Sequence, residues 1–285
     1  MKNKGRKFNA GSFLLFDAKD LAIKNYDNLA HFALTDSLIQ YAGENEQPIL
    51  HFWQTPPLII LGMMDTKIGK FSQALDVFNE YGYDYMIRNS GGLAVVSDPG
   101  VLNVSLIYPS KKDNRFSIDE GYEMMLRFIR ETFYPRFPEK KIEAFEVKHS
   151  YCFGDYDLSI DGKKIAGISQ RRIKDGLAIM LYISVNGNQD RRAEMIQDFY
   201  HHGLDGSEPK GRYPEIKKEV MTSLEEAYGV ELSVSEVKNM MLEHFSYSKA
   251  KENKEISDSF DQSLKRMYQR NIKFLGEDYV QKTLR

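Results

Sequence analysis

Tyr156-Asp157-Leu158-Ser159-Ile160-Asp161-Gly162-Lys163-Lys164-Ile165-Ala166-Gly167-Ile168-Ser169-Gln170-Arg171-Arg172 holds two β-like runs, 156–160 and 164–172, on either side of Asp-Gly. A two-residue hairpin turn needs positive φ, which glycine adopts at little cost, so Asp-Gly between such runs predicts a β-hairpin. Lys163 and Lys164 open the returning strand and put an ammonium group on a rigid element. Just upstream, Cys152 is the only cysteine, set beside the turn formers Gly154 and Asp155. The hairpin therefore brings a thiol and an ammonium within reach of each other.

Working outward, apolar residues Leu29, Phe32, Ala33, Leu38 and Ile39 recur near helical spacing and predict an amphipathic helix over 27–41. Runs 49–53 and 58–61 read as strands separated by Thr55-Pro56-Pro57, a second hairpin, because proline lacks the donor to continue a central strand. A helix over 71–81 stops at Gly82. The block 85–108 reads as strand, Gly91-Gly92 turn, strand, Asp98-Pro99-Gly100 turn, strand. Further helices are expected at 117–134, 190–202, 215–228, 234–246 and 257–282, and strands at 142–147 and 177–185. The short apolar piece Phe13-Leu14-Leu15-Phe16 is expected to dock on the body. The sum is a mixed α/β (α+β) fold with a largely antiparallel sheet, since hairpins exclude the crossovers of a doubly wound parallel sheet. The glycine-, proline- and charge-rich stretch 203–214 is the expected boundary between a core, 1–205, and a helical C-terminal segment, 206–285, packed on it.

The chain has 285 residues, 42% of them hydrophobic, and a formal net charge of -2. That is enough apolar material for a sizeable core and lacks the basic excess of a nucleic-acid binder. One cysteine makes no internal disulfide. Lys2, Lys4, Arg6 and Lys7 lead into an apolar piece too short for a signal or a membrane span, so a cytoplasmic, reduced protein is expected. His201-His202 has no third ligand at metal spacing, and no metal is expected.

Arg88-Asn89-Ser90-Gly91-Gly92-Leu93-Ala94-Val95, followed by Asp98-Pro99-Gly100-Val101-Leu102-Asn103-Val104-Ser105, resembles the biotin/lipoate protein ligase superfamily: Arg, two residues, Gly-Gly, a strand, then an Asp-containing turn. Asp161-Gly162-Lys163-Lys164-Ile165-Ala166-Gly167 resembles its second signature, in which Lys164 matches the lysine. With Ser150-Tyr151-Cys152-Phe153-Gly154 and Tyr156-Asp157-Leu158-Ser159, the likeness is closest to the lipoyl amidotransferases and runs from about residue 14 to 245. The resemblance implies a fold like the biotin/lipoate ligase and class II synthetase catalytic core. It implies an octanoyl (or lipoyl) group moved from octanoylated glycine cleavage H protein to E2 lipoyl domains of 2-oxoacid dehydrogenases, held meanwhile as a thioester on Cys152. Many relatives carry His-Asp where this chain has Ser97-Asp98, so nucleotide handling is expected to be weakened or absent.

Exchanging one lysine amide for another is close to thermoneutral and calls for no ATP or other cofactor, but direct attack by an amine is slow. A cysteine divides the step into two easier ones. An ammonium beside a thiol favours the thiolate, which gives Lys164 a role as charge, acid and base. Arg88, Gly91 and Gly92 are expected to shape the pocket mouth, and Leu93 and Val95 to line a tunnel for eight carbons. Against these stand plainer readings. A lone cysteine is usually a small buried hydrophobe, Lys163 a solvated lysine, Gly-Gly a mere turn and Arg171-Arg172 a solvated strand end. His149, three residues before the thiol, ranks below Lys164. The alternative functions are octanoyl transfer from acyl carrier protein to H protein, an ATP-dependent lipoate ligase, and a non-catalytic module that binds lipoylated domains.

Overall fold

The computed structural model describes residues 12–20, 28–204, 213–243, 245–250 and 254–283. The basic start at 2–7, the first residue of the expected 27–41 helix and most of the expected boundary, 205–212, lie outside them. The strands are β1 (Phe13–Asp17), β2 (Ile49–Trp53), β3 (Leu58–Leu61), β4 (Asp84–Ile87), β5 (Val95–Ser97), β6 (Val101–Pro109), β7 (Ile142–Ala144), β8 (Leu158–Ile160), β9 (Lys163–Ile173), β10 (Gly176–Ser184) and β11 (Tyr247–Lys249). The helices are α1 (Leu29–Asn45), α2 (Phe71–Tyr81), α3 (Ile118–Phe133), α4 (Gln189–Leu204), α5 (Leu224–Tyr228), α6 (Val234–Glu243), α7 (Lys254–Leu275) and α8 (Glu277–Thr283).

Eight strands form one sheet in the order β11-β1-β2-β6-β10-β9-β8-β7, and three form a second, β4-β3-β5. From β2 to β7 every pairing in the large sheet is antiparallel, as expected; β1 runs parallel to both neighbours. Alternation along the strands divides the apolar side chains between two cores. Ile49, Ile107 and Ala178 join α1 and the small sheet on one face, whereas Leu50, Phe52, Leu106 and Ile179 pack with α3 and α6 on the other.

Several elements fall where the sequence puts them. Helix α2 ends at Gly82, whose φ of 80° is the left-handed stop that glycine supplies. A full capping box, Ser117 with Glu120, starts α3. Other expectations are corrected. Runs 49–53 and 58–61 are strands but not a hairpin: β2 belongs to the large sheet and β3 to the small one. The prolines make the link a crossing between sheets, and Asp98-Pro99-Gly100 makes a second crossing from β5 to β6. The crossings are joined by Thr55 Oγ1 donating to Ser97 Oγ at 2.8 Å and Gln54 Nε2 donating to the Pro99 carbonyl at 3.2 Å. The apolar piece at 13–16 does not merely dock but forms β1, and β11 pairs outside it. The expected helix at 215–228 is not continuous: a 3-10 turn at Lys218–Val220 and the short α5 stand in its place. Gly276, at φ 86°, divides the expected 257–282 helix into α7 and α8.

The C-terminal helices close the small sheet. Helix α7 lies against α1, with Phe260, Leu264 and Met267 in the core. Its fully buried Asn271 accepts from the Ile87 N–H at 2.7 Å and donates to the Ile87 carbonyl at 3.1 Å. The Tyr279 hydroxyl does the same for Tyr85, at 2.8 and 3.0 Å. Two side chains thus stand where a fourth strand would pair with β4. Replacing Asn271 by Ala strands a buried N–H and carbonyl, at a cost of about 2–4 kcal/mol; urea unfolding of the variant should show that loss with little change in slope.

Candidate active site

Between the face of the large sheet, the small sheet and α1 lies a cavity of about 370 Å³, bordered by Phe32, Trp53, Ile60, Val95, Met180 and the thiol of Cys152. That volume lies near the lower end of small-ligand pockets, roughly 300–1,000 Å³. The lining is largely apolar, which suits a short aliphatic chain.

The cysteine is presented on a strained loop. Cys152 has φ 48° and His149 φ 67°, in the left-handed region that residues with a Cβ rarely adopt. What holds them there is Asp157. Its Oδ2 accepts from the N–H groups of Val147 at 3.3 Å and Gly154 at 3.2 Å, and its Oδ1 meets Lys164 Nζ at 2.9 Å. Lys164 Nζ in turn donates to the carbonyls of Cys152 at 2.8 Å and Tyr151 at 3.0 Å, and to Ser150 Oγ at 3.3 Å. Both side chains are only 2% exposed. Burial holds the Asp157 carboxyl above its ordinary range despite the pull of the Lys164 charge and the hydrogen bonds it accepts.

A β-bulge aims Lys164. Leu158 pairs with Ala166 and Ser159 with Lys164, which leaves Ile165 as an extra residue on β9. Ile165 and Ala166 both enter the core beneath the sheet, so Lys164 turns to the opposite face, the one Gly167 and Ser169 share with the cavity. Residues 221 and 222 then cover this edge, Thr222 N–H donating to the Lys164 carbonyl at 2.9 Å.

The cation in contact with the sulfur is Arg88. Its Nη2 lies 3.7 Å from Cys152 Sγ, while its other bonds go to the carbonyls of Ile60 at 3.1 Å, Leu93 at 2.9 Å and Gly91 at 2.8 and 3.0 Å. Gly92, at φ 93°, leaves room for this meeting: a Cβ there would come within 2.5 Å of Arg88 Nη2 and 3.2 Å of the sulfur. Gly91, Gly92 and Val95 border the cavity. Leu93 is buried beside it, contributing its carbonyl to Arg88. Lys163 is exposed, and His149 Nδ1 is bonded to the Glu215 carbonyl at 3.0 Å rather than to the thiol.

Two arginines matter more than sequence reasoning allowed. Arg171, read as a solvated strand end, makes a two-point ion pair with Asp36 of α1 at 2.5 and 2.8 Å and donates to the Asn89 carbonyl at 3.0 Å, so it moors the Arg88 loop to α1. Arg192 of α4, not singled out at all, grips Asp98 at 2.5 and 2.8 Å. Both pairings span over ninety residues of chain, and no local pattern in the sequence announces them.

The catalytic-domain family of lipoyl protein ligases A and B matches residues 27–246. This chain belongs to that family. Among curated relatives, an octanoyl-[GcvH]:protein N-octanoyltransferase of Macrococcus caseolyticus is 44% identical over 206 residues, 72% of this chain and 74% of its own length. One of the same name from Exiguobacterium sibiricum is 37% identical over 269 residues, 93% and 96% of the two chains. Among solved structures, a lipoate-protein ligase A bound with ATP superposes with TM-score 0.68 at 16% identity, covering 94% of this chain and 99% of that one. A bipartite lipoate protein ligase of Thermoplasma acidophilum gives 0.64 at 17%, covering 94% and 97%. The fold is theirs, and the kinship with curated N-octanoyltransferases makes this chain an acyltransferase.

Beneath the glycine loop, Asp65 is buried, accepting from the Gly62 N–H at 2.7 Å and the Tyr200 hydroxyl at 2.8 Å. Burial raises its carboxyl from 3.8 to about 6, against the lowering pull of those bonds and of Arg88. The fold therefore favours the neutral acid, a preference fully present below about pH 4 and lost as pH rises through 6. The loss amounts to about 3 kcal/mol. Urea unfolding at pH 4 and pH 7 should show wild type losing stability relative to Asp65→Asn by up to that amount as pH rises; a constant difference between the two would mean Asp65 titrates normally.

Proposed function

We propose that this chain transfers an octanoyl (or lipoyl) group from the lysine of glycine cleavage H protein to the lysine of E2 lipoyl domains through an acyl-thioester on Cys152. The reading rests above all on one observation: a thiol at an apolar cavity, 3.7 Å from a guanidinium that is itself held by three backbone carbonyls. The names of the curated relatives support the octanoyl group and the H protein as substrate. No helix among the described residues is long and apolar enough to cross a membrane, and we place the reaction in the cytoplasm, where a thiol stays reduced.

In this reading the acyl chain lies in the cavity and its carbonyl carbon beside the sulfur. Sulfur bonds to that carbon, the carbon–nitrogen bond breaks, and the thiol proton ends on the departing lysine amine. A second lysine amine then attacks the thioester and returns the proton to sulfur. Arg88 stabilises the sulfur anion as leaving group and nucleophile, being the cation in contact with it. Lys164 supplies fixed positive charge under the carbonyl of the nucleophile's own residue and holds the loop in its strained form. Val95 and the Gly91-Gly92 turn bound the chain's path. The segment 206–285 is assigned a bracing role on the core.

The test is intact mass after incubation with octanoylated H protein and no ATP, before and after hydroxylamine, beside Cys152→Ala. An octanoyl adduct that hydroxylamine removes and the variant lacks is the expected result, followed by loss of the adduct when an E2 lipoyl domain is added. An adduct formed only from octanoyl acyl carrier protein would make this the upstream transferase. Labelling of a carrier only with ATP and free octanoate would make it a ligase.

A further inference from the structure

Resting on that reading, we propose that the Tyr182 hydroxyl is the hydrogen-bond donor to the acyl oxygen as Cys152 attacks. The attack moves the carbonyl electron pair onto oxygen, and a preorganised donor aimed at that oxygen is among the largest contributions an enzyme can make to acyl transfer. The obvious cations are otherwise engaged. Arg88 gives its Nε and Nη2 hydrogens to the carbonyls of Gly91 and Leu93 and to the sulfur, and Nη1 donates to the Ile60 carbonyl. Lys164 spends its own on Asp157, Ser150 and two carbonyls.

Tyr182 stands on β10 in the cavity wall, and its hydroxyl has no hydrogen-bond partner among the described residues. Its ring is fixed from three sides. Lys164 Nζ lies 5.8 Å from the ring centroid, Tyr151 stacks at 6.2 Å, and Gly167, its cross-strand partner on β9, lies under it. Gly167 is small for this purpose: a Cβ there would come within 2.6 Å of the Tyr182 ring. The glycine that ends the Lys-Ile-Ala-Gly signature thus makes the seat on which the phenol lies. Burial, followed by the neighbouring Tyr151, Asp157 and Cys152, holds the phenol well above its ordinary range, so it remains a donor at any working pH. Tyr122, the other phenol in the lining, stacks on Tyr156 at 4.4 Å rather than on Lys164.

Tyr182→Phe removes the oxygen and keeps the ring on Gly167. Three measurements on the full chain decide the matter: the burst of nitrophenolate from p-nitrophenyl octanoate, the rate of iodoacetamide alkylation of Cys152, and the melting temperature. The expected outcome is a burst rate constant lower by about 100-fold, with alkylation and melting as in wild type, because alkylation develops no oxyanion. An unchanged burst rate overturns the role of Tyr182 and leaves the thioester reading standing. Equal slowing of burst and alkylation also overturns it, by showing that Tyr182 acts on the sulfur. A wild-type protein whose burst does not depend on Cys152 overturns the thioester reading, and the role of Tyr182 falls with it.

Discussion

The buried pair of Lys164 and Asp157 is what the site is built around. Taking both charges out of water costs several kcal/mol each, and the pair is sustained because almost every hydrogen and lone pair on it has a further partner. Those partners are all in one loop: the N–H groups of Val147 and Gly154, the carbonyls of Tyr151 and Cys152, and the Ser150 hydroxyl. The ion pair therefore acts as a scaffold in place of a packed core. Loss of either partner would leave an uncompensated buried charge, at about 3–5 kcal/mol, and would release the left-handed turns at His149 and Cys152.

Around this clamp the labour is divided between two cations from two sheets. Lys164, on the large sheet, holds the backbone of the cysteine; Arg88, just beyond the edge strand of the small sheet, touches its sulfur. The cavity lies where the sheets diverge, so the spacing of the sheets sets both its width and the approach of the guanidinium to the thiol. The polar ties at the crossings between the sheets, Arg192 of α4 to Asp98 and Thr55 to Ser97, bear on the chemistry from a distance.

Much of this was legible from residues alone. Asp161-Gly162 marked the hairpin, Gly82 marked a helix end, and the lone cysteine, Lys164 and the Arg88 to Gly92 run converge at one place. The missing parts share a physical cause. Strict alternation places Lys164 on the same face as Ala166, and only the bulge at Ile165, a property of pairing with β8, reverses it. The sulfur's cationic neighbour was expected to be Lys164, because that lysine opens the hairpin strand beside the thiol loop and matches the second signature; Arg88, 64 residues away, reaches the sulfur through the fold. The parallel strands β1 and β11 have no turn to announce them, since parallel partners need distant connections. The prolines at 56 and 57 were recognised as interruptions, but whether an interrupted chain turns back or changes sheet depends on what packs beyond it.

The side-chain closure of β4 by Asn271 and Tyr279 has a consequence for the life of the protein in a crowded cell. An unpaired strand edge is a template on which other chains can add, and this one ends at Ile87, beside Arg88. Transient detachment of α7 and α8 would therefore do two things at once, loosening the residue that touches the thiol and baring a sticky edge. Loss of activity and the onset of self-association would share one opening event, and anything that holds the last helices down guards against both.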